Sequence, residues 1–586
     1  MIKLFKNFTK KDMSVVLIVI ALIVFSVFLD LRTPEYMSEI TRLVQTENST
    51  MKEILTSGGW MLLCAVGSLI CTVIVGYFTS LLSANFSKNI RRKIFAKVED
   101  FGIAEIKKFS TSSLITRTTN DVTQIEMLIG MGLQFIIKSP IMAVWALIKI
   151  LGKSNELSAI TGICVVVMVI TNIFIIKSVT PRFKRLQKLT DRLNGVTREN
   201  LTGIRVIHAF NAEEFQENRF EDVNEDVTNT QLKNQKTFAL MSPIMNFVMH
   251  FQSLGIYVVG AYLITNLGMM DKITMFSNMV VFSSYGMQVI MSFLMLTMIF
   301  MILPRAQVSA SRINEVLDSD VSVVSGKFNG KTKETGTVEF KNVSFKYPDA
   351  DEYLLKSISF KVDKGQTIAF IGSTGSGKST LINLVPRLYD ATDGEVLVDG
   401  VNVKEYNLKS LNNKIAYISQ KAVMFTGSVE ENVSYGDNGL EKPDIKKIKK
   451  AIEVAQAKEF VEKMDGKYEA HIARGGTNIS GGQKQRLSIA RAIARNPEIY
   501  IFDDSFSALD YKTDSTLRKE LKKYTKDATS MIVAQRIGTI MNADKIVVLD
   551  KGECVGIGTH KELLKTCGVY KEIALSQLSE EELNNA

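Results

Sequence analysis

Apolar residues run in long blocks through the first half of the chain and in short alternating bursts through the second. Six stretches before residue 304 are long enough, at about 20 residues each, to cross about 30 Å of hydrocarbon. They lie at about 14–29, 59–83, 127–151, 157–177, 238–265 and 273–303. Their spacing is more informative than their number. About 40 residues (84–126) separate the second from the third, and about 60 (178–237) the fourth from the fifth. Both connectors keep helical patterning, so at about 1.5 Å per residue each can carry two helices about 30 Å beyond the membrane and back. Residues 318–336 are polar, rich in Ser, Gly and Lys, and aperiodic, which marks a linker. Short apolar strands then alternate with charged helices to residue 586. The pattern predicts a multidomain chain: an all-α six-helix transmembrane domain over 1–317, the linker, and an α/β domain over 337–586.

Charge adds sidedness. The 586 residues carry 71 Lys and Arg against 61 Asp and Glu, a net +10. No basic face with interleaved aromatics accompanies that excess, which argues against a nucleic-acid partner and for a lipid bilayer. Basic residues gather at the feet of the long connectors: Lys88, Arg91, Arg92, Lys93 and Lys97 in one, Arg182, Lys184, Arg185, Lys188 and Arg192 in the other. The opposite loops are poorer in them. By the positive-inside rule the connectors are cytoplasmic, and the N-terminal Lys3, Lys6, Lys10 and Lys11 share that side, as expected of a multi-pass protein of the cell membrane. Five cysteines without a CxxC pair read as buried, inert thiols.

Ionisable groups inside spanning segments are functional candidates. Lys138 lies near the middle of the third segment, where it can face an aqueous cavity, and Lys149 lies near its end, where snorkelling accounts for it. Met287, Met291, Met295 and Met298 share a helical face in the sixth. Such a stripe is either ordinary packing or lipid contact, or a deformable wall of a substrate path.

The second half carries sharper chemistry. The strand-like run TIAFIG leads into Gly372, Ser373, Thr374, Gly375, Ser376, Gly377, Lys378, Ser379 and Thr380, which fit the P-loop pattern G-x-x-x-x-G-K-[ST]. Glycines let backbone N–H groups converge on phosphates, the lysine reaches the terminal phosphates and Ser379 ligates Mg²⁺. A second apolar run, IYIFDD, ends in Asp503, placed to hold Mg²⁺ through water.

Ile479, Ser480, Gly481, Gly482 and Gln483 precede that aspartate and closely resemble the signature of ATP-binding cassette proteins. With six long helices on the same chain, the sequence resembles an ABC exporter half-transporter over nearly its whole length. The resemblance implies ATP and Mg²⁺ as ligands and an ATPase-coupled transport activity. It also implies that Tyr347 stacks on adenine, that Gln420 touches Mg²⁺ and the membrane-domain interface, and that Asp510 is the D-loop aspartate. Two cassettes pair head to tail in this family, so Ser480, Gly481, Gly482, Gln483 and Asp510 complete the site of a second half-transporter. Residues 101–109 and 206–215 resemble the coupling helices that dock on the cassettes, with His208 as a packing residue.

Three positions depart from the family. Asp504 stands where active members carry a glutamate that positions or deprotonates water; its carboxylate is pulled back by about 1 Å or more, and such misplacement can cost about 10²-fold. Gln535 stands where the switch histidine is expected and cannot carry its charge. Arg474 replaces a glutamate common before the signature. The expectation is one subunit of a heterodimeric multidrug-type exporter of small amphipathic compounds, with a degenerate site on its own P-loop. A homodimeric lipid or peptide exporter and a regulatory ATP-binding membrane subunit are the alternatives.

Overall fold

The computed structural model describes residues 1–46, 49–151, 153–265, 268–330, 332–437 and 441–578. The chain divides into two compact units, Met1–Glu99 with Ser112–Ser319, and Asp100–Thr111 with Asp320–Ala586.

Among the described residues of the first unit, six helices are long and apolar enough to cross a membrane: Lys10–Gln45, Met51–Glu99, Thr111–Ile150, Asn155–Ala209, Glu213–Thr265 and Asp271–Leu317. They outrun the apolar stretches. Met51–Glu99 has 49 residues, about 70 Å of helix, so its connector continues the spanning helix rather than starting a new one. The first helix shows the same effect at its outer end. Thr9 caps it through a reciprocal bond with Asp12, and it runs past Pro34 to Gln45, well beyond the expected stop near residue 29. Two charges past that point are paired with another helix: Asp30 with Lys138 at 3.1 Å and Glu35 with Lys149 at 2.8 Å. Lys149 is therefore half of an ion pair, not simply a snorkelling side chain.

The segment 206–215, expected as a short coupling helix, is the junction of two long helices across a three-residue turn. One long helix ends at Ala209 and the next, Glu213–Ala239, begins after Phe210, Asn211 and Ala212. His208 is exposed there and its Nδ1 lies 2.8 Å from Glu213 Oε1, so within this chain it joins the two helices. Beside it Leu201, Val206, Phe210 and Phe215 are 72%, 61%, 77% and 67% exposed.

The second unit is built on a six-stranded sheet in the order Glu553–Gly558, Lys545–Asp550, Thr367–Gly372, Thr529–Val533, Ile499–Asp503, Ile415–Ile418. All pairs are parallel except the first. Every residue of Ile499–Asp503 is buried, as a central parallel strand requires. An antiparallel sheet, ordered Leu355–Val362, Val338–Phe345, Asp393–Val398, Val401–Asn402, supplies a second layer. Phe340 stacks on Phe360 at 4.5 Å in the core they share. Ile103 and Ala104, from the short helix Ile103–Phe109, pack against that core. Buried Glu105 ties the helix down by accepting from Ser322 N (3.2 Å) and Ser322 Oγ (3.1 Å).

Candidate functional site

The strand Thr367–Gly372 delivers the phosphate loop to the helix Lys378–Asn383. Two glycines have no substitute: at Gly372 a Cβ would lie 2.0 Å from the Leu549 carbonyl oxygen, and Gly377 sits at φ 93° with Leu355 Cδ2 2.6 Å from its notional Cβ. Lys378 Nζ folds back to donate to the carbonyls of Gly372 and Ser373, both at 2.8 Å. Burial pushes its amine down, while Asp504 and Asp503 pull it back up.

Asp503 ends the buried strand with both carboxylate oxygens engaged. Ser379 Oγ donates to Oδ1 at 2.7 Å and Tyr417 OH to Oδ2 at 3.0 Å. Tyr347 shares a hydrogen bond of 2.9 Å with Thr380 Oγ1 and lies edge-on to Phe345 and Tyr389. Lys107, from the short helix above, places its ammonium 4.9 Å from the Tyr347 ring centre. Tyr417 and Lys107 carried no motif. Tyr417 was legible only as the polar-tipped residue of YISQ, and Lys107 only through its place in the segment 101–109.

The three remaining candidates converge on one atom. Asp504 Oδ2 accepts from Gln420 Nε2 at 3.2 Å and from Gln535 Nε2 at 2.9 Å. Val533 pairs with Asp503 in the parallel sheet, and the Asp504 amide donates to the Val533 carbonyl at 3.0 Å, which brings the chain at 535 alongside. Burial pushes the Asp504 carboxyl up; the Gln420 hydrogen bond opposes this, the Asp503 charge adds to it, and Lys378 and Arg536 oppose it. Arg536 was not anticipated.

Ser480, Gly481, Gly482, Gln483 and Asp510 are not joined to this cluster by hydrogen bonds. Ser480 caps the helix Gly481–Arg495 by accepting from Gln483 N at 3.3 Å while its own amide donates to Gln483 Oε1 at 2.8 Å. Asp510 caps Tyr511–Tyr524 by accepting from Thr513 N at 2.9 Å, which holds its carboxyl low. Both helix starts, and Arg474, are exposed.

The membrane unit holds a cavity of about 590 Å³. Met37, Met61, Met142, Met287, Met291 and Met295 line it, together with Lys138, Ser139 and Gln288. Three of the four methionines on the expected face therefore border the cavity; Met298 does not.

A P-loop ATPase carried on the same chain as six membrane-crossing helices defines an ATP-driven membrane translocase. Residues 16–304 match the ABC transporter transmembrane region and residues 355–507 the ABC transporter ATP-binding region. The chain is 38% identical over 522 residues to an uncharacterized ABC transporter ATP-binding protein of Mycobacterium tuberculosis, covering 89% of this chain and 87% of that one. It is 30% identical over 505 residues to the ATP-dependent lipid A-core flippase of Pseudomonas aeruginosa, covering 86% and 82%. A solved bacterial Atm1-family ABC exporter with ATP bound superposes with a TM-score of 0.80 at 21% identity, over 95% of this chain and 98% of that one, which establishes the fold. The chain belongs to the ABC transporter family. It is an ATP-driven, multi-pass ABC exporter of the type IV fold.

Proposed function

We propose that this chain is one half of a heterodimeric exporter of small amphipathic compounds. It binds ATP with Mg²⁺ in a slow site of its own and completes a consensus site on a second half-transporter. In this reading residues 1–317 span the membrane, 318–336 link, and 337–586 form a cytoplasmic cassette on the same side as the N-terminus.

The observation that carries the reading is the clamp on Asp504, whose Oδ2 is held by both Gln420 and Gln535. A general base must offer a free lone pair to the attacking water within hydrogen-bond reach. Here the carboxylate is one methylene short and two amides already donate to one of its two oxygens. Gln535 can donate to a γ-phosphate but cannot supply a positive charge to it. Nothing comparable blocks nucleotide binding. Lys378 can exchange its two loop carbonyls for phosphate oxygens, Tyr347 offers a ring to the adenine, and the loop amides cradle the phosphates. The hard oxygen donors of Ser379 and Asp503, already paired at 2.7 Å, suit Mg²⁺, with the Gln420 side-chain carbonyl as a further donor. When bound, the ion neutralises phosphate charge.

The exposed signature cap and the apolar tip of Leu201, Val206, Phe210 and Phe215 support pairing with a second chain. The relation to a lipid A-core flippase favours a second reading, a homodimeric lipid exporter. The two diverge in one assay. Purified alone, the chain is expected to bind ATP with Mg²⁺ yet hydrolyse it about 10² to 10⁴ times more slowly than a complex with a half-transporter carrying glutamate and histidine at the two altered positions. Equal turnover by the lone chain rejects the heterodimer in favour of the homodimer.

A further inference from the structure

Resting on the reading of the membrane unit as a path for amphipathic compounds, we infer that its cavity selects amphiphiles bearing an anionic carboxylate or phosphate group, with Lys138 as the residue that recognises the charge. Among the described residues lining the cavity, Lys138 is the one ionisable side chain. Its partner Asp30 does not line the cavity. That carboxylate is held from behind, with Oδ2 on Lys138 at 3.1 Å and Oδ1 accepting from Ser68, whose hydroxyl is 3.2 Å from Ser26. The ammonium thus faces the cavity with one counter-ion and three donors, which leaves hydrogen-bonding capacity for a second anion.

Two more polar atoms mark the same wall. Ser139, fully buried, has no hydrogen-bond partner for its Oγ, and neither has the Gln288 Oε1, although Gln288 Nε2 donates to the Asp30 carbonyl at 3.3 Å. Buried polar atoms are normally satisfied, and these two accompany a cation in a cavity whose remaining lining is six methionines, Pro34 and the hydroxyl residues Thr33, Ser284 and Ser292. A Ser139 hydroxyl can donate to the same headgroup oxygen as Lys138, and the Gln288 carbonyl can accept from a protonated or hydroxyl-bearing part of it. Met287, Met291 and Met295 form the deformable bed for an alkyl or aromatic tail. A cationic amphiphile would meet the ammonium as a like charge in a low-dielectric setting.

The test is equilibrium binding of radiolabelled dodecyl phosphate and dodecyltrimethylammonium to the purified full chain in phosphatidylcholine nanodiscs, corrected for empty discs. The phosphate is expected to bind at least about tenfold more tightly than the ammonium compound, the margin of a charge-assisted hydrogen bond. Lys138→Gln should erase that preference and Lys138→Arg should retain it. Asp30→Asn should strengthen phosphate binding, because the ammonium loses its competing carboxylate. Displacement of the probe by phosphatidylglycerol in the discs identifies a membrane lipid as the source of the anion; persistence of the probe identifies a free amphiphile. Either outcome keeps the anionic class. The inference is overturned if Lys138→Gln leaves the preference intact, if Lys138→Arg loses it, or if Asp30→Asn and Lys138→Gln weaken both probes equally, as a purely structural ion pair would. Binding here does not depend on turnover, so rejection of the heterodimer by the ATPase assay would leave this result standing.

Discussion

The two units of this exporter solve burial in opposite ways. In the cassette the strand Ile499–Asp503 turns its apolar residues inward, and Ile499, Ile501 and Phe502 have no exposed surface. In the membrane unit Leu62, Leu63 and Leu69 are exposed while neighbouring Ser68 is buried against Ser26 and Asp30. Water drives the first arrangement by expelling hydrocarbon. Lipid removes that drive, because tails are as apolar as leucine, and leaves polar groups to find one another between helices. The membrane unit still buries apolar clusters such as Val27, Leu31, Ile256 and Phe282, but it adds hydrogen bonds and ion pairs between helices to them. The difference bears on function, because polar groups beside a methionine-rich cavity can bind an amphiphile, whereas the buried sheet of the cassette holds its phosphate loop in place.

The sharpest way to test what the cassette holds in place is to disturb each of its two half-sites separately. Ser480→Arg puts a bulky cation where the signature should meet the partner's nucleotide, and turnover of the assembled complex is expected to fall by about 10² or more, the scale of losing a transition-state donor. Lys378→Ala strikes the proposed slow site, so it should weaken ATP binding there and leave more residual turnover. Steady-state ATPase rates and nucleotide-binding isotherms of the two variants check the asymmetry. If Lys378→Ala silences the complex as fully as Ser480→Arg, the chain hydrolyses its own ATP and the proposed division fails.

A smaller effect separates the two interiors directly. Ile501→Ala should cost about 2 to 5 kcal/mol, as expected for a buried aliphatic side chain in a sheet that cannot collapse around the gap. Ser68→Ala removes a hydroxyl donor to a half-buried carboxylate and should cost about 1 to 3 kcal/mol. Leu69→Ala, on the outer face, should stay within about 0.5 kcal/mol. Thermal unfolding of the full chain in nanodiscs, following a reporter on each unit, would rank them. A large loss for Leu69→Ala would mean that this face is packed rather than bathed in lipid.

The sequence disclosed the parts whose meaning is local and concealed those made by long-range pairing. The phosphate loop and the apolar run ending in Asp503 are contiguous, so pattern alone exposed them, and the signature, also contiguous, was exposed by its resemblance to the family. The clamp on Asp504 was not legible, because Gln420 and Gln535 stand 84 and 31 residues away and meet it through the parallel order of three strands. Hydrophobic patterning gives strands but not their neighbours. In the membrane unit, patterning located all six helices and missed their ends, since helix Lys10–Gln45 runs on past residue 29, where Asp30 and Glu35 pair with Lys138 and Lys149 of another helix. The coupling segments show both outcomes. Residues 103–109 form a short helix, whereas 206–215 do not, because Ala209 and Glu213 belong to long helices that extend to either side of a three-residue turn.

The smallest expected effect probes a carboxylate that burial in the cassette disfavours. Burial, aided by the charge of Asp503, raises the Asp504 carboxyl above its ordinary 3.8 despite the opposing Gln420 bond, Lys378 and Arg536. Below 3.8 the group is protonated in both folded and unfolded chains and costs nothing. As pH rises from there to the raised folded value, the unfolded chain ionises first, so the folded cassette binds more protons and loses stability. Above the folded value the penalty stays constant. Asp504→Asn keeps an oxygen for Gln420 and Gln535 and removes the charge, so it should unfold at a slightly higher temperature than the native chain at neutral pH. The two melting temperatures should draw together as the pH is lowered through that window. A variant less stable at neutral pH would show that the carboxylate is held by its two amides and Arg536 more strongly than burial opposes it, and would make the clamp a source of stability rather than a strained remnant of a catalytic position.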